Sequence, residues 1–514
     1  MKLRCLKIFL ALAGFILYFS QAIFAQESLK IDRVILSWTS NPDTTQTITW
    51  IMPTDFPAYV QYIEKDKFKG NFNNAKKVEV KGVPFDSVNY RYSVTLTGLR
   101  PGTQYVYRVG SEGMWSDVFT FATAPADAES FAFLYLGDVQ SGFSEWRSML
   151  EEINRKNPQL RFALLGGDLT EKESDEGEWS EFLKAAAALF SKIPVMPTLG
   201  NHDGSAYLKF FALPDNGPED LKKEFYSFDY GNAHFVVLNS NKNADERAKE
   251  WLRKDLENTD KKWRFAVFHH PPYPAVADYK GIDESIRKNW VPLLEQYNVD
   301  MVFVGHQHVY MRTKPLRDGQ IHPDGDGVVY VMGNSGTKHY GSYADFEYIA
   351  KLEASMSNYQ IVKIDGDILT LTSLGVDGQV IDTYTIVKRS SDVEKLKSTP
   401  TNSEGYRQHM VCNFGYTPQC NYNSSGYSAR IYKSAIYTLN PCQRIYGRFP
   451  HLGKICDLGA KRSIQIFTKK GGLVYEKKNS MQSSIFYHCN VYRLTRQFID
   501  SGAILRPGQH RCPF

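Results

Sequence analysis

The sequence predicts a multidomain protein with an N-terminal β-sandwich, a central α/β domain and a small disulfide-rich β domain at its C-terminal end. Three observations predict this. Residues 28–124 alternate apolar and polar side chains in short runs, residues 130–388 interleave apolar runs with helical patterns, and six of the seven cysteines lie beyond residue 411. The 514 residues exceed what one hydrophobic core supports, at about 100 to 200 residues per domain.

Residues 1–25 open with Lys2, Arg4 and Lys7, continue with an apolar run over residues 8–19, and end with small residues near Ala22 and Ala25. This reads as a secretory signal peptide cut near Ala25, so the mature protein is expected to be secreted or periplasmic. A retained membrane anchor is the alternative, but Ser20 and Gln21 interrupt the run.

Five alternating runs follow, at residues 34–38, 47–50, 58–62, 92–96 and 105–109, with turn residues such as Arg100-Pro101-Gly102 between them. They indicate a small β-sandwich of the fibronectin type III sort. Leu99 before Pro101-Gly102-Thr103, and the Tyr105-x-Tyr107 pair, resemble the end of such a domain. No chemistry is visible here, and a spacer or the wall of a neighbouring cleft is the expected role.

After Ala124-Pro125-Ala126 the pattern changes. Apolar runs at residues 131–136, 162–165, 195–199, 265–268 and 301–304 alternate with helical stretches, as in an α/β domain whose helices cover sheet faces. Each run is followed by a polar cluster: Gly137-Asp138, Gly167-Asp168, Gly200-Asn201-His202-Asp203, His269-His270-Pro271-Pro272 and Gly305-His306-Gln307-His308. Any one of these has a plain explanation as a turn or a strand end. In an open α/β sheet, however, the carboxyl ends of the strands share one rim where ligands bind, so carboxylates, an amide oxygen and imidazoles are expected to converge.

These motifs resemble the calcineurin-like metallophosphoesterases, and with the fibronectin-like lead domain the chain is most similar to the purple acid phosphatases. The resemblance covers about residues 28–388 and makes the central domain an α/β metallophosphoesterase sandwich. It implies two metal ions, of iron, manganese or zinc, about 3.5 to 4 Å apart. Carried over by motif, Asp138 and His308 would hold the first metal, Asn201, His269 and His306 the second, and Asp168 both. His202, beside Asn201 but not a ligand in this family, would stabilise the transferring phosphoryl group or protonate the departing alkoxide. Asp203 would orient it, and Tyr310 and Arg312 would hold the loop from outside. The implied activity is hydrolysis of phosphate monoesters by attack of a metal-bound hydroxide.

The departures are as informative as the matches. Gln140 stands where related phosphodiesterases carry a metal-binding histidine, and Glu171 stands where the purple enzymes carry a tyrosine ligand. Either side chain could complete the first site, or water could. The phenolate being absent, that site is expected to take a divalent ion. Asp278-Tyr279-Lys280 lies where plant members have a histidine pair. A phosphodiesterase or nucleotidase is therefore the second functional reading, and a surface-binding or adhesion protein with a relic enzyme domain is a third, from another class.

Residues 389–405 read as a polar linker, and residues 406–514 as a basic, Cys-rich β domain of no recognised family. Cys412, Cys420, Cys442, Cys456, Cys489 and Cys512 form an even set, which in an exported segment implies disulfides. Residues 401–514 carry 16 Lys and Arg against 4 Asp and Glu, a net of +12, whereas residues 26–400 sum to about −10. The imbalance predicts binding of an anionic surface such as acidic lipid, lipopolysaccharide or polysaccharide; a solvated face, or docking on the acidic body, would produce the same charge pattern. No specific nucleic-acid binding is expected.

Overall fold

Long continuous apolar strands need cover on both faces, and the architecture supplies it with two mixed sheets packed against each other and helices outside. The computed structural model describes residues 31–388, apart from 32, 54–55, 205, 277–280, 323–324 and 342, together with five short strands between 428 and 486. The first central sheet has six strands, in the spatial order Val195–Pro197, Leu160–Leu165, Ser130–Leu136, Asn358–Asp365, Ile368–Gly375, Val380–Val387. Its first three strands are parallel and the last three run as an antiparallel meander. The second has seven, in the order Tyr226–Tyr230, Ala233–Val237, Trp263–Val267, Met301–Val304, Val329–Met332, Tyr310–Thr313, Ile349–Glu353.

Side-chain alternation assigns the two faces of the second sheet. Phe235, Phe265, Met301 and Phe303 enter a core shared with Phe133, Tyr135 and Phe162 of the first sheet. Their neighbours Val236, Ala266, Val302 and Val304 join a separate core with Leu252, Leu256, Ile286 and Trp290 of the outer helices. Aromatic rings interlock the sheets, with Phe133 lying 5.3 Å from Phe235 and 5.4 Å from Phe265, both edge to face. Tyr135 also crosses the interface to donate its hydroxyl to the Val304 carbonyl.

The helix Phe143–Lys156 buries Trp146, Met149, Leu150 and Ile153, one face of a 3.6-residue period. Asp175 caps the helix Glu176–Phe190 by accepting from the Gly177 and Glu178 amides. Ahead of the central domain, two antiparallel sheets enclose their own core around Trp50 and Tyr92, which stack 5.3 Å apart. This β domain is fixed to the central one: Trp38 inserts beside Phe162, and the Tyr107 hydroxyl reaches the Ser191 carbonyl. The expected wall is real but borders another cleft. Thr39–Pro42 line a cleft of about 590 Å³ with His234 and Asp255, and no candidate metal ligand lines it.

The signal peptide over residues 1–25, the linker over residues 389–405 and the six C-terminal cysteines lie outside the described residues. The chain divides after residue 394 into a second unit, of which the structure describes two groups of strands. Ser428–Ile431 pairs with Ala435–Thr438, and Ile464–Lys469 pairs with Gly472–Lys477, with Lys469 facing Gly472. Among the described residues no helix is long and apolar enough to cross a membrane.

One polar group in this frame carries a pH signature. His234, almost fully buried, directs Nδ1 to Asp229 Oδ1 at 2.7 Å and Nε2 to Asp255 Oδ2 at 2.8 Å. Ser227 donates to the other Asp255 oxygen, and the Lys261 ammonium stands 3.8 Å from Asp229. Two carboxylate acceptors require both ring nitrogens to be protonated. Burial opposes that charge, but the bonds to Asp229 and Asp255 win and push the imidazole up to about 9. Because the folded value lies above the unfolded one, the stabilisation is complete below about pH 6.5 and is lost as the pH rises through about 9. His234→Gln should lower the melting temperature at pH 6 and flatten its decline between pH 7 and 9.5. Parallel melting profiles for variant and wild type across that range would contradict the assignment.

Candidate metal centre

Every sequence-predicted site residue lies on a loop leaving the carboxyl end of a strand, but the rim belongs to two sheets rather than one. Asp138, Asp168 and Asn201 follow the strands Ser130–Leu136, Leu160–Leu165 and Val195–Pro197 of the first sheet. His269, His306 and His308 follow Trp263–Val267 and Met301–Val304 of the second. Packing the sheets face to face brings the two half-rims together. Backbone bonds then fix the loops to one another: the Asp168 carbonyl accepts the Val139 and Gln140 amides, and the His269 carbonyl accepts the Gly305 amide.

The donor atoms meet in two groups. His269 places Nδ1 2.9 Å from the Gly166 carbonyl oxygen, a geometry in which Nδ1 carries the proton and Nε2 offers a lone pair. That Nε2 lies 3.1 Å from Asp168 Oδ2, 3.1 Å from Asn201 Oδ1 and 3.2 Å from His306 Nδ1. Asn201 Oδ1 is also 2.9 Å from His306 Nδ1. A carboxylate oxygen, an amide oxygen and two imidazole nitrogens thus face one another, a donor set of the kind that holds a metal ion. The second group is Asp138 with His308. His308 gives Nδ1–H to the Lys338 carbonyl at 3.1 Å, and its Nε2 is buried with no hydrogen-bond partner, 3.8 Å from Asp138 Oδ1. An orphaned imidazole nitrogen aimed at a buried carboxylate is what a metal-ligand pair leaves when the ion is removed. The residues fit a metal pair, with Asp138, Asp168 and His269 in one mutually close set and His269, His270 and His306 in another. His270 is an addition to the predicted set; its Nδ1 is 2.8 Å from the Ser240 hydroxyl.

Charge states agree with this use. Burial, seconded by the neighbouring His269, pushes the His306 imidazole down to about 3, and burial with the nearby Lys338 pushes His308 down to about 4, so both offer lone pairs. Burial also raises Asp138, whereas at Asp168 the opposing pull of His269 outweighs burial and the group stays ionised. His269 itself is driven up to about 9, its burial overcome by the charges of Asp168 and Asp138. A positive charge is called for at this point, either a proton or a metal ion.

Local backbone strain accompanies the convergence. Four of the seven non-glycine residues with positive φ among the described residues are Gln140, Asp168, His306 and His308. The motif glycines have a steric reason: a Cβ on Gly305 would collide with Asp138 Oδ2, and one on Gly200 with the Asp168 backbone and carboxylate. The same closeness lets the His306 amide lie 2.8 Å from both Asp138 oxygens.

Several outer residues differ from expectation. Asp203 does not orient His202; it accepts the Leu169 amide at 2.6 Å and the Gly200 amide at 2.7 Å, tying the Asp168 loop to the Asn201 loop. The Glu171 backbone carbonyl orients His202 instead, 2.8 Å from its Nδ1, and the His202 amide donates to Asp168 Oδ1 at 3.0 Å. Gln140 gives its Nε2–H to Asp168 Oδ2 at 2.9 Å, and the Glu171 carboxylate pairs with Lys338, which leaves both side chains engaged beside the centre. Tyr310 and Arg312 both bond Asp382 of the first sheet, so they hold the strand after the histidine loop from a distance. Sequence motifs missed Lys338. Its signal is the same rule that found the others, Gly333-Asn334-Ser335-Gly336 following the apolar strand Val329–Met332.

Comparison with known proteins adds the lineage. Residues 131–310 match the calcineurin-like phosphoesterase family, and residues 31–123 match the purple acid phosphatase N-terminal domain. Purple acid phosphatase 23 of Arabidopsis thaliana is 26% identical over 336 residues, covering 56% of this chain and 73% of that one. Purple acid phosphatase 22 of the same plant is 30% identical over 264 residues, covering 48% and 59%. Among solved structures, the purple acid phosphatase PPD1 of yellow lupin superposes with a TM-score of 0.63 at 19% identity, over 73% of this chain and 78% of that one, a likeness of fold. The paired matches, the named relatives and the donor set at the sheet rims agree: this chain joins a purple acid phosphatase N-terminal domain to a calcineurin-like metallophosphoesterase domain, and is a metal-dependent phosphoric ester hydrolase.

Proposed function

We propose that the protein is an exported phosphatase that hydrolyses phosphate monoesters with two metal ions. Asp138 and His308 would hold the first ion, Asn201, His269 and His306 the second, and Asp168 would lie between them. The observation that carries this reading is the set of acceptors facing one another around His269 Nε2, together with the unpartnered His308 Nε2. When bound, such a pair supplies a nucleophile at ambient pH and neutralises charge on the ester oxygens.

The chain's own residues do the rest. Asp203 and the loop-to-loop backbone bonds keep the ligand loops in register, so little reorganisation accompanies substrate binding. With Nδ1–H held by the Glu171 carbonyl, His202 has Nε2 left to act on substrate, where the doubly protonated ring would give its Nε2 proton to the departing alkoxide and keep the one on Nδ1. Glu171 is occupied by Lys338 in the position of the purple enzymes' tyrosine, which supports a divalent ion at the first site. Export rests on the basic and apolar pattern of residues 1–25, and tethering to an anionic surface on the +12 excess of residues 401–514. The second holds if wild-type protein binds anionic vesicles at low salt and releases them near 0.5 M salt, about the strength at which screening shrinks well below 8 Å.

A panel of mono- and diester nitrophenyl phosphates tests the activity and separates it from the diesterase reading, which rests on Gln140. His202→Ala should keep both metals and lose about 10²- to 10⁴-fold in turnover, the contribution of one general acid. Asp168→Ala should instead come off purification depleted of metal. Full turnover in His202→Ala, or full metal content in Asp168→Ala, would break the respective assignment. Elemental analysis of active wild type should find manganese, zinc or ferrous iron at the first site, and a strong violet absorption band would refute that.

A further inference from the structure

Lys338 acts on the centre through two groups. Its backbone carbonyl orients His308, and it also accepts from Asn334 Nδ2 at 2.8 Å. Its ammonium lies 3.0 Å from Gln140 Oε1 and 3.2 Å from Glu171 Oε2. Through Gln140 it is one side chain from Asp168, and through Glu171 one residue from the carbonyl that orients His202. Among the described residues, no other lysine or arginine is hydrogen-bonded to a side chain of this group. The loop that carries it is fixed: the Ser335 and Gly336 amides donate to the Asp138 carbonyl at 3.0 and 2.7 Å, and the Tyr340 ring meets the His308 ring edge to face at 4.8 Å.

The end of the side chain is held less firmly than its base. The Lys338 and Glu171 side chains are 34% and 39% exposed, so water screens their attraction and the pair is weak. Glu171 also offers a single charge. The phosphoryl group of a monoester carries close to two charges and three acceptor oxygens near neutral pH, which makes it the better partner for an ammonium. The Gln140 carbonyl can keep its bond while the other protons turn, since an ammonium has three donors.

We propose that Lys338 is a substrate-binding residue whose ammonium exchanges Glu171 for a non-bridging phosphoryl oxygen when a phosphate monoester enters. The proposal rests on the phosphatase reading and deepens it: Lys338 favours a terminal phosphate dianion over the single charge of a diester. Glu171 is then the group on which the cation waits, and it competes with substrate. The contrasting role is purely supportive, with Lys338 locking Gln140 onto Asp168 and touching nothing that arrives.

The experiment uses full-length protein loaded with metal: wild type, Lys338→Met, Lys338→Arg and Glu171→Gln. Metal content is measured by elemental analysis, inorganic phosphate binding by calorimetry, and KM and kcat with monoester and diester. Loss of one charge-assisted contact should weaken phosphate binding about 10- to 100-fold in Lys338→Met. The monoester KM should rise in parallel, with metal content and diester KM near wild type. Lys338→Arg should recover part of the loss, and Glu171→Gln should bind phosphate more tightly than wild type. Unchanged phosphate affinity in Lys338→Met overturns the proposal, and so does loss of metal in that variant, which would assign Lys338 to the support of Asp168. If wild type hydrolyses no phosphate ester at all, the phosphatase reading falls first and the role of Lys338 falls with it.

Discussion

Several acceptors meet at one point of the rim, between the buried His269 and the exposed Asn201. Asp168 Oδ2, Asn201 Oδ1 and His306 Nδ1 lie within 3.2 Å of His269 Nε2, and His308 Nε2 faces Asp138 with no donor near it. Lone pairs brought this close repel, so the loops that carry them must be held in place by something else. Much of the surrounding structure meets that need. Asp203 binds two loop amides, the Asp168 and His269 carbonyls accept amides from neighbouring loops, and positive φ values at Gln140, Asp168, His306 and His308 are sustained by that network. A bound metal pair would relieve the repulsion directly and so would couple ion binding to the stability of the rim.

The rigidity beneath the rim comes from the interlocked sheets. Phe133, Phe162, Phe235, Phe265 and Phe303 fill the interface with rings in edge and stacked contacts, and close packing of this kind transmits displacement instead of absorbing it. Because three ligand loops rise from one sheet and two from the other, a shift between the sheets would open the centre. Tyr135, reaching from the first sheet to the Val304 carbonyl just ahead of Gly305, fixes the sheets beside the site itself. The N-terminal β domain is joined to this frame through Trp38 and the Tyr107 hydroxyl.

Electrostatics divides the centre into an inner anionic part and a cationic edge. Asp138 and Asp168 lie at the bottom, and His202 and Lys338 stand beside them. An anionic substrate approaching carboxylates needs compensating charge. The metal pair would provide it at depth, while Lys338 extends it toward solvent at the Glu171 position. The remote imidazolium of His234 shows the opposite use of the same chemistry, with two aspartates satisfying both nitrogens and none left for a ligand.

The sequence by itself determined the strand-then-polar-cluster rhythm, because each cluster follows an apolar run that reads as a buried strand, while the six candidate ligands and the role of His202 are what the resemblance of those clusters to the family's motifs implies. What only the tertiary structure decided were relations between residues far apart in the chain. That the rim is shared by two sheets follows from which faces pack, and period-two patterning says a strand is covered without saying by what. Asp203 went to amides near Asp168 and Gly200, not to His202, because those unpaired N–H groups were nearer once the loops met. Gln140 and Glu171 share a partner in Lys338, some 170 to 200 residues further on, whose ammonium lies within hydrogen-bond distance of both. A side chain's partner is fixed by packing over such separations, and no local spacing in the sequence encodes it.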